Sequence, residues 1–227
     1  MNAVAILLAA GTGERLGLGT PKATVDLGGR PLVAWSLEAL AKASSVRGVI
    51  LVGDARALAP ALEALSLPAR AKIVAQAEGG PTRQASCAAG LARVAPDADV
   101  VLVHDAARPF AEPALFDAVA RAAQEHGAAL AAEPLADTLK RVADGRVIET
   151  IEREGLWRAQ TPQGARRALL AEAHARARED GVLATDDVAL VERLGHAVHV
   201  VPAPSSNRKI TTLDDLAWAE ARLKGAA

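Results

Sequence analysis

The sequence predicts an α/β fold: a mostly parallel sheet flanked by helices, with one β-hairpin arm standing off it. Three observations point there. Short apolar runs alternate along the chain with longer stretches of helical periodicity, which is the pattern of βα units stacked on a parallel sheet. The first of these runs leads directly into a glycine loop, AILLAAGTGERLGLGTPKATVDLGG, from Ala5 to Gly29. One later segment, Asp137 to Glu154, breaks the alternation. The chain has 227 residues, 51% of them hydrophobic, enough to bury one compact core. Residues 1–227 are therefore read as one domain with an arm at about 136–154.

Taken in order, the apolar runs place strands at Val4–Ala9, Gly48–Val52, Lys72–Ala75, Asp99–Val103, Ala128–Glu133 and His196–Val201. Pro31–Ala43 begins with a proline suited to a first helical turn and sets Leu32, Trp35, Leu37 and Leu40 near one face. Pro113–Gln124 repeats that opening. An amphipathic helix runs from a Gly79-Gly80 pair towards Val94. Asp137–Glu154 holds two alternating stretches joined by Ala-Asp-Gly, the composition of a hairpin turn. The hairpin carries Lys140, Arg141, Arg146 and Arg153, has little apolar surface of its own and needs another surface to rest on. Leu156–Gly164, LWRAQTPQG, reads as a loop, Thr185-Asp186-Asp187 as a helix start, and a final helix begins near Leu213.

Composition excludes several functions. The formal net charge is −1, so there is no bulk field with which to hold nucleic acid or an anionic membrane, and anion binding has to be local. No apolar run approaches the roughly 20 residues of a spanning helix. AVAILLAA lacks a basic leader and is followed by a glycine loop, so it reads as a buried first strand and not as a targeting segment. Cys87 is the only cysteine, which fits a reducing, cytoplasmic compartment.

The opening loop begins like a dinucleotide fingerprint, Gly11-x-Gly13, but Leu16 holds the third glycine position, and only Asp54 lies near the end of the next strand as a ribose-binding carboxylate. No Gly-Lys-Ser/Thr follows, so it is not a Walker loop either. Two readings remain. Either its N–H groups approach phosphates while Arg15 and Lys22 converge on the same oxyanions, or it is a plain turn with two solvated cations. In Gly79–Ser86, Ser86 either donates to a base or sugar or simply packs the helix start. In VLVHDAARPF, from Val101 to Phe110, Asp105 and Arg108 stand where a strand's carboxyl end faces a ligand crevice. Asp105 suits Mg²⁺ on a polyphosphate and Arg108 a second anion, or the two close the turn as an ion pair. Thr161 is within reach of a phosphate in its loop, and Lys209 lies just before the last helix.

Together these stretches resemble the 2-C-methyl-D-erythritol 4-phosphate cytidylyltransferase family, among the GT-A-like nucleotidyltransferases with a Rossmann-like sheet. The likeness covers nearly the whole chain and rests on LLAAGTGERLGLGTPK, VLVHDAARPF, DTLKRV, LWRAQTPQ, TDD and NRKITTLDDL. The resemblance implies a reaction of CTP with methylerythritol phosphate, with Mg²⁺, that releases pyrophosphate on the non-mevalonate route to isoprenoids. It implies Arg15 and Lys22 as catalytic cations and Ala10, Gly11, Gly80 and Ser86 as nucleotide-binding positions, with Asp105 near the metal and ribose. Arg108, Thr161, Thr185 and Lys209 match contacts to the sugar phosphate. Thr138 and Arg153 match contacts from a partner's arm, which implies a homodimer with shared active sites. Ala23 and Pro81 depart from the longer polar residue and the acidic residue common at those positions. Ribitol 5-phosphate cytidylyltransferases share almost all these motifs. A dinucleotide-dependent oxidoreductase and a non-enzymatic nucleotide-binding regulator are the rival readings from other classes.

Overall fold

The computed structural model describes residues 1–225. The chain begins with β1 (Ala3–Leu8), whose side chains are almost all buried, as a strand covered on both faces requires. After the glycine loop come a two-stranded ribbon, β2 (Asp26–Leu27) and β3 (Arg30–Pro31), and then helix α1 (Leu32–Lys42). Next are β4 (Val46–Val52), α2 (Ala55–Glu63), α3 (Leu67–Ala71), β5 (Ile73–Ala77), α4 (Arg83–Leu91) and β6 (Val100–Asp105). They are followed by α5 (Pro113–His126), β7 (Ala128–Pro134), the arm strands β8 (Leu139–Ala143) and β9 (Arg146–Ile151), and β10 (Trp157–Arg166). The chain closes with α6 (Arg167–Glu179), α7 (Val188–Arg193), β11 (His199–Pro202) and α8 (Leu213–Gly225).

Seven strands form one sheet in the order β11-β7-β10-β6-β1-β4-β5. Every pairing is parallel except those of β10, which runs antiparallel between β6 and β7. Alternate residues of the central strands feed two cores. Leu7, Leu51 and Leu102 pack with Leu37 of α1 and Phe116 of α5 on one face, while Ile6, Ile50 and Val101 pack with Leu170 of α6 and Leu190 of α7 on the other. Because β1 sits between β4 and β6, the strand order reverses there, and a crevice opens at the carboxyl ends of β1 and β6.

The LWRAQTPQG segment is a strand inside this sheet, which corrects its reading as a loop. Pro162 disguises it. The pairing with β7 passes from Ala159 opposite Ala132 to Gln163 opposite Leu130, so Gln160–Pro162 leave the ladder at the point where proline has no N–H to give. Pro113 begins α5 as expected, but Pro31 is the residue before α1 and not its first turn. Asp54 accepts from the backbone N–H groups of Arg56 and Ala57 and so caps α2, and it does not line the crevice.

The arm forms its own two-stranded sheet, turning at Asp144 and Gly145, whose φ values of 49° and 73° match the type I′ turn that Asp-Gly favours. Val142, Val147 and Ile148 on it are more than half exposed.

Candidate active site

The crevice at β1 and β6 is a cavity of about 660 Å³, within the size range of sites for nucleotide-sized ligands. One wall is the loop after β1. Gly13 has φ of 77°, and a Cβ there would stand 3.1 Å from the Thr20 carbonyl oxygen, so glycine lets the loop double back. The fold-back is held by the Lys22 N–H on the Gly11 carbonyl at 3.0 Å and the Leu16 N–H on that of Gly13 at 2.8 Å. As a result, Arg15 and Lys22, seven residues apart in sequence, line the same cavity.

The opposite wall is the Gly79-Gly80 turn, packed so closely that a Cβ on Gly79 would fall 2.2 Å from the Ala10 Cβ. The Ser86 hydroxyl holds this turn: it accepts from the Gly80 N–H at 3.0 Å and lies 3.0 Å from the Thr82 carbonyl, to which it donates. Thr82 caps α4 by accepting from the Ala85 N–H. Ser86 is therefore a lining residue whose hydrogen bonds serve the helix start.

Asp105 forms the floor, at the last residue of β6. Arg83 Nε donates to its Oδ1 at 3.1 Å and Lys209 Nζ to its Oδ2 at 2.6 Å. Burial alone would push this carboxyl up, but Arg83 and then Lys209 hold it well below the usual carboxylate range, so it is ionised at any working pH. Arg108 is not its partner: Arg108 Nη1 donates to the Asn207 carbonyl oxygen at 2.7 Å. The turn-closing Asp–Arg pair is thus replaced by Arg83 and Lys209, from elements far apart in sequence.

Burial lowers the Lys22 pKa to about 8, and Lys209 and Arg15 add to that effect against the opposing pull of Asp105. Four cations, Arg15, Lys22, Arg83 and Lys209, line this one cavity of a chain with net charge −1. That concentration suits a polyphosphate.

Beneath the floor, burial keeps His104 neutral, pushed down to about 3. Its Nε2 lies 3.3 Å from the Arg108 carbonyl oxygen, which can only accept, so Nε2 carries the proton. Nδ1 therefore accepts from the Thr161 hydroxyl at 3.0 Å, and that hydroxyl accepts from the Asp105 N–H at 3.1 Å. Thr161 supports the floor from below and does not line the cavity.

Of the positions expected from sequence, the cavity brings together Ala10, Gly11, Arg15, Lys22, Gly80, Ser86, Asp105 and Lys209. It does not include Arg108, Thr161 or Thr185, and Thr185 is exposed before α7. Thr138 and Arg153 lie on the arm, where Arg153 Nη1 donates to the Ala136 carbonyl at the arm's base. Sequence reasoning missed Arg83. Its other side pairs Nη1 with Asp187 Oδ2 at 2.6 Å, so one guanidinium ties the cavity floor to a buried carboxylate. The TDD motif carries only a helix-start signal for Asp187, and it is Asp186 that accepts from the Ala189 N–H there.

The family model of 2-C-methyl-D-erythritol 4-phosphate cytidylyltransferase matches residues 3–225. The enzyme of that name from Parasynechococcus marenigrum (strain WH8102) is 44% identical over 219 residues, covering 96% of each chain. Among solved structures, the crystal structure of the Thermus thermophilus enzyme of the same name has 36% identity and a TM-score of 0.79, covering 96% of this chain and 98% of that one. That of 4-diphosphocytidyl-2C-methyl-D-erythritol synthase from Anaerococcus prevotii DSM 20548 has 28% identity and a TM-score of 0.84, covering 98% and 96%.

Proposed function

The chain belongs to the 2-C-methyl-D-erythritol 4-phosphate cytidylyltransferase family, and we propose how its cleft carries out that family's reaction. It is an enzyme, a nucleotidyltransferase of Rossmann-like fold. It joins CTP and 2-C-methyl-D-erythritol 4-phosphate in isoprenoid biosynthesis, releasing pyrophosphate. The observation that carries the mechanism is the convergence of Arg15, Lys22, Arg83 and Lys209 on one cavity whose floor is the ionised Asp105.

In this reading CTP lies between the Ala10–Gly11 loop end and the Gly80–Ser86 turn, its phosphates on the N–H groups and cations of the first loop. An oxygen of the acceptor phosphate attacks the α-phosphorus in line. The bond from that phosphorus to the bridging oxygen breaks, and pyrophosphate leaves with the electron pair. Both reactants are anions, so the chain's contribution is position and charge: Arg15 and Lys22 neutralise the crowded phosphorus and the leaving group. Lys209, which lines the cavity, is assigned to the acceptor's phosphate side; Arg108 and Thr185, which lie outside the cavity, are assigned there on the family likeness alone, and Thr161 holds Asp105 in register. No protein nucleophile is needed.

The donor set fits Mg²⁺. Asp105, the ionised carboxylate of the cavity floor, would hold the ion through the lone pairs that Arg83 and Lys209 leave free, and this ion commonly takes one or two carboxylates and completes its shell with phosphates and water. When bound there it would screen charge between the phosphates.

A homodimer belongs to the same proposal. Thr138 and Arg153 lie outside the chain's own cavity, and the arm shows apolar side chains to solvent, so the arm is read as reaching a second subunit's cleft. The chain is read as one domain with that arm. No described helix is long and apolar enough to cross a membrane, and a cytoplasmic place is proposed on the same grounds as in the sequence.

Pyrophosphate release tests the reading, with four nucleoside triphosphates crossed against methylerythritol and ribitol phosphates. CTP with methylerythritol phosphate should be fastest; faster turnover of ribitol phosphate, or of UTP, overturns the assignment.

A further inference from the structure

Behind the floor of the cleft, three side chains of different chemistry meet in the core. Cys87 comes from the buried face of α4, His174 from α6, and Asp187 from the residue before α7. Their ligand-type atoms all lie within 4.8 Å of one another, and all three residues are buried. Two distances are informative. Asp187 Oδ2 is taken by Arg83 Nη1 at 2.6 Å, while Oδ1 faces His174 Nε2 at 3.6 Å, beyond a hydrogen bond. His174 Nε2 is buried without any hydrogen-bond partner, on a side chain only 5% exposed. Standing apart, the two atoms keep a separation close to that of neighbouring ligands around a tetrahedral zinc, roughly 3.3–3.8 Å for bonds of about 2.0–2.3 Å.

We propose that Cys87 Sγ, His174 Nε2 and Asp187 Oδ1 form a binding site for one thiophilic divalent cation of the Zn²⁺ class, separate from the magnesium position in the cleft. The ligand types, one sulfur, one imidazole and one carboxylate, suit Zn²⁺ and not a hard ion. Binding replaces the thiol proton, which passes to solvent as the Cys87–metal bond forms. The charges are compatible. The thiolate and Asp187 offset the ion, and Asp105 with Arg83 and Lys209 leaves one positive charge in excess at the cleft floor, so the guanidinium keeps its place between the two carboxylates. Without a metal the thiol remains protonated, since burial and then Asp187 push its pKa well up. Because the site is closed off, it loads most readily as the chain folds, and its occupancy stiffens the anchor of Arg83 and through it the floor of the cleft.

Co²⁺ is the probe. Metal-free protein refolded with equimolar Co²⁺ should show a thiolate-to-cobalt charge-transfer band in the near ultraviolet with intense visible d–d absorption, and Zn²⁺ should bleach both. Cys87→Ala should remove the charge-transfer band, and His174→Leu should weaken both sets of bands, with far-ultraviolet circular dichroism unchanged in each. The native chain carries the decisive measurement, so a poorly folding variant does not rescue the idea. Absence of the thiolate band in native protein, or its persistence in Cys87→Ala, overturns the site. Mg²⁺-dependent turnover is a separate readout, because Asp105 offers no sulfur and cannot produce the band.

Discussion

The floor of the cleft and the arm are both rich in charge, yet they are built in opposite ways. Asp105 is buried, holds two cations and is braced from below by Thr161 and His104. The arm's ion pair, Arg141 with Glu149, joins adjacent strands in solvent, and Val142, Val147 and Ile148 beside it stand in solvent too. Surface pairs of that kind contribute little, whereas removing one member of a buried pair costs about 3–5 kcal/mol. The cleft therefore finishes its floor within one chain, while the arm is incomplete without another surface.

Asp105→Asn tests the first half most severely. It leaves Arg83 and Lys209 facing each other across a buried amide, so turnover should fall by roughly a hundredfold or more and the melting temperature should drop. Wild-type Mg²⁺ dependence with unchanged stability would remove Asp105 from the centre of the site. Lys22→Ala should cost a comparable factor in kcat, about 3 kcal/mol, but with the fold and melting temperature kept, because Lys22 has no salt-bridge partner among the described residues. Near-normal turnover would return Lys22 to the solvated cations.

The second half is tested by complementation. If Arg153 works in the partner's cleft, mixing inactive Arg15→Ala and Arg153→Ala dimers places both lesions in one site of each heterodimer and neither in the other. Random exchange then restores about a quarter of wild-type activity. Confirmed exchange with no recovery places the arm on its own cleft. A smaller effect concerns pH. Lys22, lowered to about 8, is charged below that value and discharges as pH rises through it. In the free enzyme kcat/KM should therefore fall about tenfold per unit above pH 8, and Lys22→Arg should flatten that limb. Asp105 stays ionised, so it sets no acid limb near neutrality. The smallest expected change is in Val142→Ser with Ile148→Ser. Monomer unfolding should shift by less than about 0.5 kcal/mol, as for exposed sites, while dimer dissociation increases. Equal dissociation in the double variant would place the subunit contact elsewhere.

Much of this was legible because it is local. The apolar runs of β1, β4, β6 and β7 announce buried strands, and Asp144-Gly145 announces its turn. The first loop's glycines and cations mark one wall of the cleft. What escaped was long-range. Arg83 meets Asp105 and Asp187 across sequence separations of 22 and 104 residues, and no periodicity encodes such a meeting. β10 escaped because Pro162 and Gly164 imitate a loop, though their strand lies between two others. Gly164 is required there by crowding, since a Cβ would stand 2.8 Å from Leu102 Cδ2. The bonds of the Thr161 hydroxyl to His104 and the Asp105 N–H are not legible in the sequence, because a hydroxyl's direction cannot be read without knowing which side of the strand is buried.

The long reach of these pairings carries an expectation for the order of events during folding. Lys209 closes on Asp105 from 104 residues away, and Asn207 Nδ2 secures that late segment on Gln160 Oε1 at 2.7 Å. Contacts of such separation form slowly, after local helices and adjacent strands have collapsed. In refolding, the helical signal should thus return ahead of catalytic competence, and the lag between the two should lengthen in Asn207→Ala, whose last segment has lost its latch.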